Sequence, residues 1–467
     1  MLLTAATVIA QDQPLQPGWI QTDRGRVTAV GAGTPPRTVN PDLGDLDLGE
    51  RIVVPGFVDM HGHGGGGGAF PAGDAEQARA AVELHGRHGT TTGIASLVTA
   101  SPDDLLRIVS VMADLTEQGV IAGTHLEGPW LSDGRPGAHE QPQLRDPDPA
   151  ELDRVFAAGR GMIRMVTLAP ERAGGLDAVR RVVGAGAAAA VGHTDASYDQ
   201  TLAAIEVGAT IGTHLFNAMR PVHPHEPGPV IALLEDPRVT VELITDGVHL
   251  YPALYRDVAH VAGPDRVALV TDAMAAAGLA DGAYRLGALD VTVANGVARL
   301  TGSDIIAGST ATMDHIFRYA VRHSGLPLLD GVLAAVRQTS ANPAAALGLA
   351  EVGRLAPGYW ADLVVLDADL AHPRNRIGHS RSQLSMGRSG SRAAPLWAST
   401  RHRVSLPGRP NWPPAIRPSP SRWLTARICR SIGKSSTWFC STASCATCRA
   451  RIRCWPNPSG SCGQVVR

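Results

Sequence analysis

The chain has 467 residues, of which 44% are hydrophobic, and its formal net charge is −1. No apolar run reaches the roughly 18 residues that are needed to cross a bilayer, so no membrane span is predicted. The apolar opening from Met1 to Ala10 lacks a basic start and is soon followed by Asp12. It is therefore predicted to be a first β-strand rather than a signal peptide.

Charge divides the chain at about residue 371. Residues 371–467 contain 16 Arg, one Lys and no acidic residue, which gives this segment a charge of +17, whereas the residues before it carry −18. All six Cys and five of the eight Trp lie in the same segment. The body before it is acidic and free of cysteine, as is typical of a cytoplasmic enzyme without disulfides. Residues 371–467 are predicted to be a separate basic tail.

The predicted elements begin with short strands and continue as alternating strands and helices. Residues 1–50 contain short apolar runs and are predicted to be the N-terminal part of a small β domain. Between Arg51 and Met274, β-branched runs alternate with helical stretches such as Ala75–His88 and Pro102–Gln118. The eight predicted strands are Ile52–Asp59, Thr91–Ser96, Ile121–Glu127, Ile163–Leu168, Ala188–His193, Thr210–His214, Val239–Thr245 and Val267–Asp272.

This alternation predicts a closed parallel (β/α)8 barrel of the TIM type over residues 51–282, within an α/β fold. After the barrel strands, an Asn-Gly pair flanked by alternating apolar residues predicts a hairpin, and residues 283–302 are assigned to the small β domain. Residues 303–350 are predicted to be closing barrel helices, and residues 351–370 the C-terminal part of the small β domain. The small domain is therefore predicted to be a β-sandwich assembled from both ends of the chain.

Histidines and carboxylates gather where the predicted strands end. In a barrel these ends meet in one pocket, so residues far apart in sequence can share a ligand. Imidazole nitrogen and carboxylate oxygen suit Zn²⁺, Fe²⁺ and similar divalent ions. One such histidine is typical of a hydrogen-bonded residue at a barrel end, but the whole set predicts a metal site. Its members are His61, His63, Glu127, His193, His214 and Asp272.

Six short motifs follow one another along the chain: Pro55–Gly66, His125–Trp130, Gly192–Thr194, Thr213–Met219, Asp246–His249 and Val270–Ala273. Together they resemble the amidohydrolase superfamily and, within it, the N-acetylglucosamine-6-phosphate deacetylases. The resemblance covers about residues 5 to 367. It implies a cytoplasmic, homodimeric enzyme that uses a divalent metal to hydrolyse the acetamide of N-acetylglucosamine 6-phosphate.

The resemblance also implies the metal ligands. Glu127, His193 and His214 are expected to hold one ion. His61 and His63 are expected to hold a second, so one or two ions are predicted, with Zn²⁺ favoured over Fe²⁺, Co²⁺ or Mn²⁺. Many binuclear amidohydrolases bridge their metals with a carboxylated lysine, but the only lysine of this chain lies in the basic tail. Glu127 is expected to fill that place.

Two residues are expected to carry the chemistry. Asp272 is expected to take a proton from the attacking water and to pass it to the leaving amine. The alternative role for Asp272 is metal ligation, which is compatible with proton transfer. His249 is expected to share the negative charge of the tetrahedral intermediate.

The substrate-binding positions are also carried over from the resemblance. His139 matches a sugar contact, Asn217 and Ala218 match backbone phosphate contacts, and Ile306 matches a position that packs against the acetyl group. A helix-capping turn is the alternative for the segment around Ile306. His225 stands where the family has an arginine that reaches the phosphate across a dimer interface. A histidine there predicts weaker and more pH-dependent phosphate binding.

Three interpretations compete for residues 371–467. A shifted reading frame in a GC-rich gene would give this composition, no independent core, and a small β domain that lacks its last strand. The second is a nucleic-acid-binding extension. The third is an iron–sulfur site at Cys440, Cys445 and Cys448, whose spacing matches a ferredoxin run.

For the whole chain, two alternatives to the deacetylase remain. A dihydroorotase-like enzyme or an N-acyl-amino-acid deacylase would share the metal site but lack the segment His214–Met219. A non-enzymatic protein that binds nucleic acid through the tail ranks last. Membrane partners are not expected.

Overall fold

A computed structural model describes residues 1–368 and 370, together with the backbone of three two-residue strands beyond them. Its contacts divide the chain into the units Met1–Arg392 and Ala393–Arg467. In the second unit, the described structure is an antiparallel pair of Trp455–Pro456 with Cys462–Gly463. The predictions for the basic tail, including the three cysteines, otherwise lie outside the described residues.

The central sheet of the first unit has seven parallel strands in chain order: Ala95–Leu97, Thr124–Glu127, Ile163–Leu168, Ala188–Val191, Ala209–Gly212, Thr240–Leu243 and Val267–Leu269. An eighth parallel strand, Phe57–Asp59, pairs with Thr90–Gly93, which leads into the first strand of the sheet after one residue. The amide of Asp272 donates to the carbonyl of His61 at 2.8 Å, so the two ends of the ring meet. The predicted TIM-like fold class is confirmed.

Helices surround this sheet, and polar side chains cap several of them. The side chain of Asp74 accepts from two amides of the first helix, Ser101 caps the second, and Ser197 forms a capping box with Gln200. The apolar faces of the helices pack against the strands in one large cluster of buried residues. The helices are Ala75–Arg87, Pro102–Glu117, Pro149–Gly159, Gly175–Gly184, Tyr198–Glu206, Gly228–Glu235, Pro252–Ala262, Met313–His323, Leu328–Val336 and Asn342–Ala346.

Two further sheets form the small β domain around a buried core that includes Leu3, Ile20, Val53 and Leu363. The first sheet contains Arg26–Ala32, Gly18–Asp23, Leu2–Ala5 and Leu46–Asp47. The second contains Leu363–Leu366, Ile52–Pro55, Thr7–Ala10 and Gln13–Leu15, and its outer edge carries Arg376–Ile377. Strands from both ends of the first unit therefore pack together, and Arg376–Ile377 pairs over two residues with Leu363–Leu366, at the edge where the frame-shift interpretation predicts a missing last strand.

The predicted strand Ile52–Asp59 is divided between the two substructures. Ile52–Pro55 pairs within the small β domain, and Phe57–Asp59 belongs to the barrel. Gly56 separates them, and its amide donates to the carbonyl of Asp362 at 2.8 Å. A Cβ at Gly56 would lie 2.1 Å from Oγ1 of Thr91, so the strand changes partners where a side chain would not fit.

The hairpin predicted at Asn295-Gly296 is present, with φ of 52° and 74° at its two turn residues. It belongs to a three-stranded antiparallel sheet of Gly282–Leu286, Leu289–Ala294 and Val297–Leu300. This sheet is separate from the two sheets of the small β domain, although the sequence pattern groups it with them. It packs instead with Val98 and Met274, beside the carboxyl ends of the barrel strands.

Among the residues that the structure describes, no helix is both long enough and apolar enough to cross a membrane.

Candidate active site

The polar residues at the strand ends meet in one buried cluster. Glu127 ends its strand, and His193 and His214 each follow a strand by two residues. The cluster opens into a cleft of about 440 Å³ at the carboxyl ends of the strands. Its six members are at most 7% exposed: His61, His63, Glu127, His193, His214 and Asp272.

Glu127 lies between two pairs of imidazoles. Its Oε1 lies 3.0 Å from Nε2 of His193 and 2.8 Å from Nε2 of His214. Its Oε2 lies 3.1 Å from Nε2 of His63 and 3.5 Å from Nε2 of His61. One carboxylate therefore contacts both predicted ligand sets.

Asp272 contacts the cluster on the side of His61 and His63. Its Oδ1 lies 3.1 Å from Nε2 of His63 and 3.6 Å from Nε2 of His61. The side chains of Glu127, His193, His214 and Asp272 thus lie around one small space, as the sequence predicts.

Three of these donors sit on left-handed backbone. The φ angles are 46° at His193, 26° at His214 and 47° at Asp272, which is uncommon outside glycine. Such conformations cost on the order of 1–3 kcal/mol each and persist where surrounding contacts hold them. Ser309 supplies one such contact, because its amide donates to the carbonyl of Asp272 at 2.6 Å.

Hydrogen bonds fix which imidazole nitrogen faces the cluster. Nδ1 of His63 donates to the carbonyl of Ser96, and Nδ1 of His193 donates to the carbonyl of Arg135, both at 3.1 Å. Because a carbonyl oxygen can only accept, Nδ1 carries a hydrogen, and in the neutral ring the Nε2 lone pair points at the cluster. This is the arrangement found in histidines that bind metals.

The cluster also requires positive charge. Burial disfavours a charged imidazole, but hydrogen bonds to Asp272 and Glu127 outweigh it and raise the pKa of His63 to about 9. Burial likewise opposes ionisation of Asp272, yet the nearby His61 and His63 lower its pKa to about 2. Nε2 of His193 and Nε2 of His214 lie 3.1 Å apart. The inward imidazole nitrogens and the buried carboxylates fit a divalent cation, which would take the place of the protons on His61 and His63.

His139 lies beside this cluster but has the opposite tautomer. Its Nδ1 accepts from the amide of Thr99 at 3.3 Å, so the hydrogen is on Nε2, which lies 3.4 Å from Oε2 of Glu127. Burial and the nearby His193 lower the pKa of His139 to about 4. A neutral Nε2–H donor suits a substrate contact better than metal ligation.

His249 lines the same cleft from the loop after the strand Thr240–Leu243. Its Nδ1 donates to Oδ2 of Asp246 at 2.8 Å, and its amide donates to the other carboxylate oxygen at 2.9 Å. Burial lowers the pKa of His249, but Asp246 more than compensates and raises it. The sequence places Asp246 in a motif without assigning it this role.

Most predicted substrate residues also line the cleft. Asn217, Ala218, His139 and Ile306 do so, but His225 is exposed and its ring lies against His223, with ring centroids 5.4 Å apart. The family resemblance predicts that His225 contacts the phosphate, but within a single copy of the chain His225 does not line the cleft.

The segment after Ile306 does not cap the following helix. That helix begins at Met313 after Thr312, whereas the hydroxyl of Ser309 donates to the carbonyl of Thr271 at 2.5 Å. The segment therefore anchors the loop that carries Asp272.

Sequence reasoning missed Glu242 and the residues behind the cluster. Glu242 is fully buried and accepts from Nδ1 of His61 at 3.0 Å. The feature of the sequence that could have indicated Glu242 is a carboxylate within a run of apolar residues. Burying such a charge is costly unless the charge is paired. His125 is also buried, between the hydroxyls of Ser96 and Thr167 at 2.9 and 2.8 Å, and burial lowers its pKa well below the usual value.

Comparison with known proteins places this site in a family. The model of the Amidohydrolase family matches residues 52–393. A structure of N-acetyl-D-glucosamine-6-phosphate deacetylase from Mycobacterium smegmatis is 56% identical with a TM-score of 0.78, covering 81% of this chain and 98% of that one. A mutant of that enzyme, solved with N-acetyl-D-glucosamine-6-phosphate, is 58% identical with a TM-score of 0.77, covering 79% and 96%.

A curated relative supports the same assignment. The N-acetylgalactosamine-6-phosphate deacetylase of Escherichia coli O157:H7 is 34% identical over 360 residues, which are 76% of this chain and 93% of that protein. These matches favour the deacetylase prediction over the other amidohydrolase activities and over a nucleic-acid-binding role. Because the family model spans well over half of the sequence and the relatives match it over nearly their whole length, the chain belongs to the Amidohydrolase family, in the group of the N-acetylglucosamine-6-phosphate deacetylases.

Proposed function

We propose that this protein hydrolyses the acetamide of N-acetylglucosamine 6-phosphate to glucosamine 6-phosphate and acetate. The observation that carries the proposal is the convergence of Glu127, His193 and His214 with Asp272 at the floor of one cleft. The names of the relatives support the choice of substrate.

The proposed cofactor is a divalent metal, with Zn²⁺ favoured by the imidazole and carboxylate donors. Glu127, His193 and His214 would hold one ion, and His61 and His63 a second. Bound there, the metal supplies Lewis acidity, which makes water nucleophilic near neutral pH and polarises the amide carbonyl.

The residues of the chain supply the proton transfers. Asp272 is ionised at neutral pH, since its pKa is about 2, and its carboxylate takes the proton of the attacking water. The same oxygen then delivers the proton to the departing amine nitrogen. His249, held by Asp246, donates a hydrogen bond to the oxygen that gains negative charge in the tetrahedral intermediate.

Arg135 is the proposed counter-charge for the substrate phosphate. Among the described residues that line the cleft, it is the only Lys or Arg. Oδ1 of Asp195 accepts from Nε of Arg135 at 2.9 Å, and Oδ2 of Asp195 accepts from Nη2 of Arg220 at 3.0 Å. Asn217 and Ala218 would add contacts to the phosphate, His139 would contact the sugar, and the acetyl group would pack near Ile306.

The variant Arg135→Ala tests this phosphate assignment. We expect kcat/KM to fall about 10- to 100-fold for the phosphorylated sugar, the value of a charge-assisted hydrogen bond, and to change little for N-acetylglucosamine. Arg220→Ala, which removes the other partner of Asp195, is the matched control. Equal losses on both sugars would contradict the assignment.

The proposed assembly is a cytoplasmic homodimer. Exposed apolar side chains beside His249, at Val248, Tyr251 and Leu254, are 41%, 75% and 40% exposed and would be covered by a second copy. In such a dimer His225 would act on the site of the other copy. Light scattering at micromolar concentration tests this, and a monomer would refute it.

The decisive experiment for the function measures acetate release from N-acetylglucosamine 6-phosphate before and after removal of metal by a chelator. We expect turnover to vanish on removal and to return when Zn²⁺ is added. Turnover that survives complete removal would overturn the proposal.

N-acetylgalactosamine 6-phosphate is a second candidate substrate, because the Escherichia coli relative is named for it. The two sugars differ only in the configuration of one hydroxyl group. Comparing kcat/KM for both under the same conditions decides which one the cleft prefers.

A further inference from the structure

Glu242 is a buried carboxylate behind the proposed metal ligands. It belongs to the strand Thr240–Leu243, lies between Val241 and Leu243, and is 0% exposed. A carboxylate that is buried in such a site without a partner destabilises the folded protein strongly. The groups that face Glu242 must therefore account for its presence.

One oxygen of Glu242 connects the two ligand sets. Its Oε2 accepts from Nδ1 of His61 at 3.0 Å and from the backbone amide of His214 at 3.2 Å. The backbone carbonyl of Glu242 also accepts from the amide of Leu215 at 2.9 Å. The other carboxylate oxygen, Oε1, has no hydrogen-bond partner within the described part of the chain.

His61 differs from the other imidazoles of the cluster in what orients it. His63 and His193 donate Nδ1 to neutral backbone carbonyls, and Nδ1 of His214 has no partner among the described residues. His61 donates to a carboxylate. A carboxylate partner fixes the tautomer and also makes the opposite nitrogen a stronger electron donor.

We propose that Glu242 is a positioning residue that orients His61 and thereby supports a second divalent ion at the His61–His63 position. Oε2 of Glu242 also accepts from the main-chain amide of His214, which is a ligand of the first metal position. Glu242 therefore links the first metal position to the second. This inference rests on the proposed metal dependence of the enzyme, but it concerns ion binding and can be tested by measuring bound metal without substrate.

The test measures Zn²⁺ bound per chain after equilibrium dialysis against buffered free metal, for the native protein and for Glu242→Gln and Glu242→Ala. We expect two ions in the native protein. In Glu242→Gln, which keeps an acceptor for His61 but loses the charge, we expect one of the two affinities to fall about 10- to 100-fold, the usual effect of removing such a partner. Glu242→Ala should lose at least as much.

A double-mutant cycle with His61→Ala shows whether Glu242 acts through His61. We expect Glu242→Gln to cause no further loss of metal affinity once His61 is absent. Glu151→Gln is the matched control, because Glu151 is a buried carboxylate that pairs with Arg145 away from the cleft. It should bind two ions with native affinity.

Folding and spectroscopy complete the test. Melting curves recorded in chelator identify variants that fail to fold. If Glu242→Ala does not fold, the metal affinities of Glu242→Gln decide the test. Substitution with Co²⁺ should show one of two visible absorption bands weakened in Glu242→Gln. A native protein that binds a single ion, unchanged affinities in Glu242→Gln, or an undiminished loss in the His61→Ala background would each overturn the inference. Failure to deacetylate the sugar phosphate, with two ions bound, would refute only the proposed function.

Discussion

At the scale of single residues, the site is governed by which atom each side chain turns toward the cleft. His63 and His139 both lie within 3.4 Å of Oε2 of Glu127, yet in the neutral ring His63 presents a lone pair there and His139 a hydrogen. The difference is set by what each Nδ1 meets: the carbonyl of Ser96 in one case and the amide of Thr99 in the other. Residue type alone would not separate a ligand from a substrate contact.

Replacing Asp272 tests its role in proton transfer. In Asp272→Asn we expect kcat to fall about 10²- to 10⁴-fold, the range for loss of a general base, with metal content and KM unchanged. Steady-state kinetics and metal analysis on the same sample measure this. If kcat fell only in proportion to lost metal, ligation rather than proton transfer would be the role of Asp272.

The pair of Asp246 and His249 predicts a shift in the pH profile. Because burial lowers the pKa of His249 and Asp246 raises it, removing that carboxylate in Asp246→Asn lowers the pKa. The charged donor is present below the pKa and lost above it. The basic limb of kcat/KM should therefore move to lower pH in Asp246→Asn. A basic limb at the same pH in both proteins would show that the charge on His249 is not used.

At the scale of elements, the change of partners at Gly56 joins the barrel to the small β domain. The strand before it pairs with Leu363–Leu366 and the strand after it pairs with Thr90–Gly93. The first barrel strand leads directly to His61 and His63, so packing at Gly56 sets the direction from which these two residues reach the cleft.

Gly56→Ala should therefore destabilise the protein. The added methyl would overlap the side chain of Thr91, and overpacking of this kind costs about 1–3 kcal/mol. Gly86→Ala is the control, because Gly86 lies in the helix Ala75–Arg87 with open space around its Cα, where alanine stabilises by up to about 1 kcal/mol. Urea unfolding measures both, and equal stability of the two variants would contradict this account.

At the scale of the whole molecule, the body before residue 371 contains four apolar clusters and the cleft, all formed by residues that the structure describes. The basic tail contributes a charge of +17 that the body does not share. Stability and catalysis should therefore depend on the first part of the chain, whatever the origin of the tail.

A chain ending at Arg392 tests this separation. We expect its melting temperature and its rate of acetate release to match those of the full chain, while salt-sensitive retention on a polyanion column is lost with the 12 positive charges of residues 393–467. A lower melting temperature would mean that residues beyond Arg392 stabilise the first unit. Retention that persists would locate the polyanion binding before residue 393.

The barrel, the sandwich built from both ends of the chain and the candidate metal donors at the strand ends could all be predicted from the sequence. These follow from local signals, because alternation, helix caps and the residues that end a strand are written in consecutive positions. The predicted hairpin at Asn295-Gly296 is present for the same reason.

Which of these residues meet, and in which protonation state, depends on the three-dimensional packing of the chain. The partnership of Glu242 with His61 spans 181 positions, and it depends on strand register and on closure of the ring. The change of partners at Gly56 is likewise set by neighbours distant in sequence. Hydrogen-bond partners and the pKa values of buried groups arise from the whole packed barrel, and no short stretch of sequence contains that information.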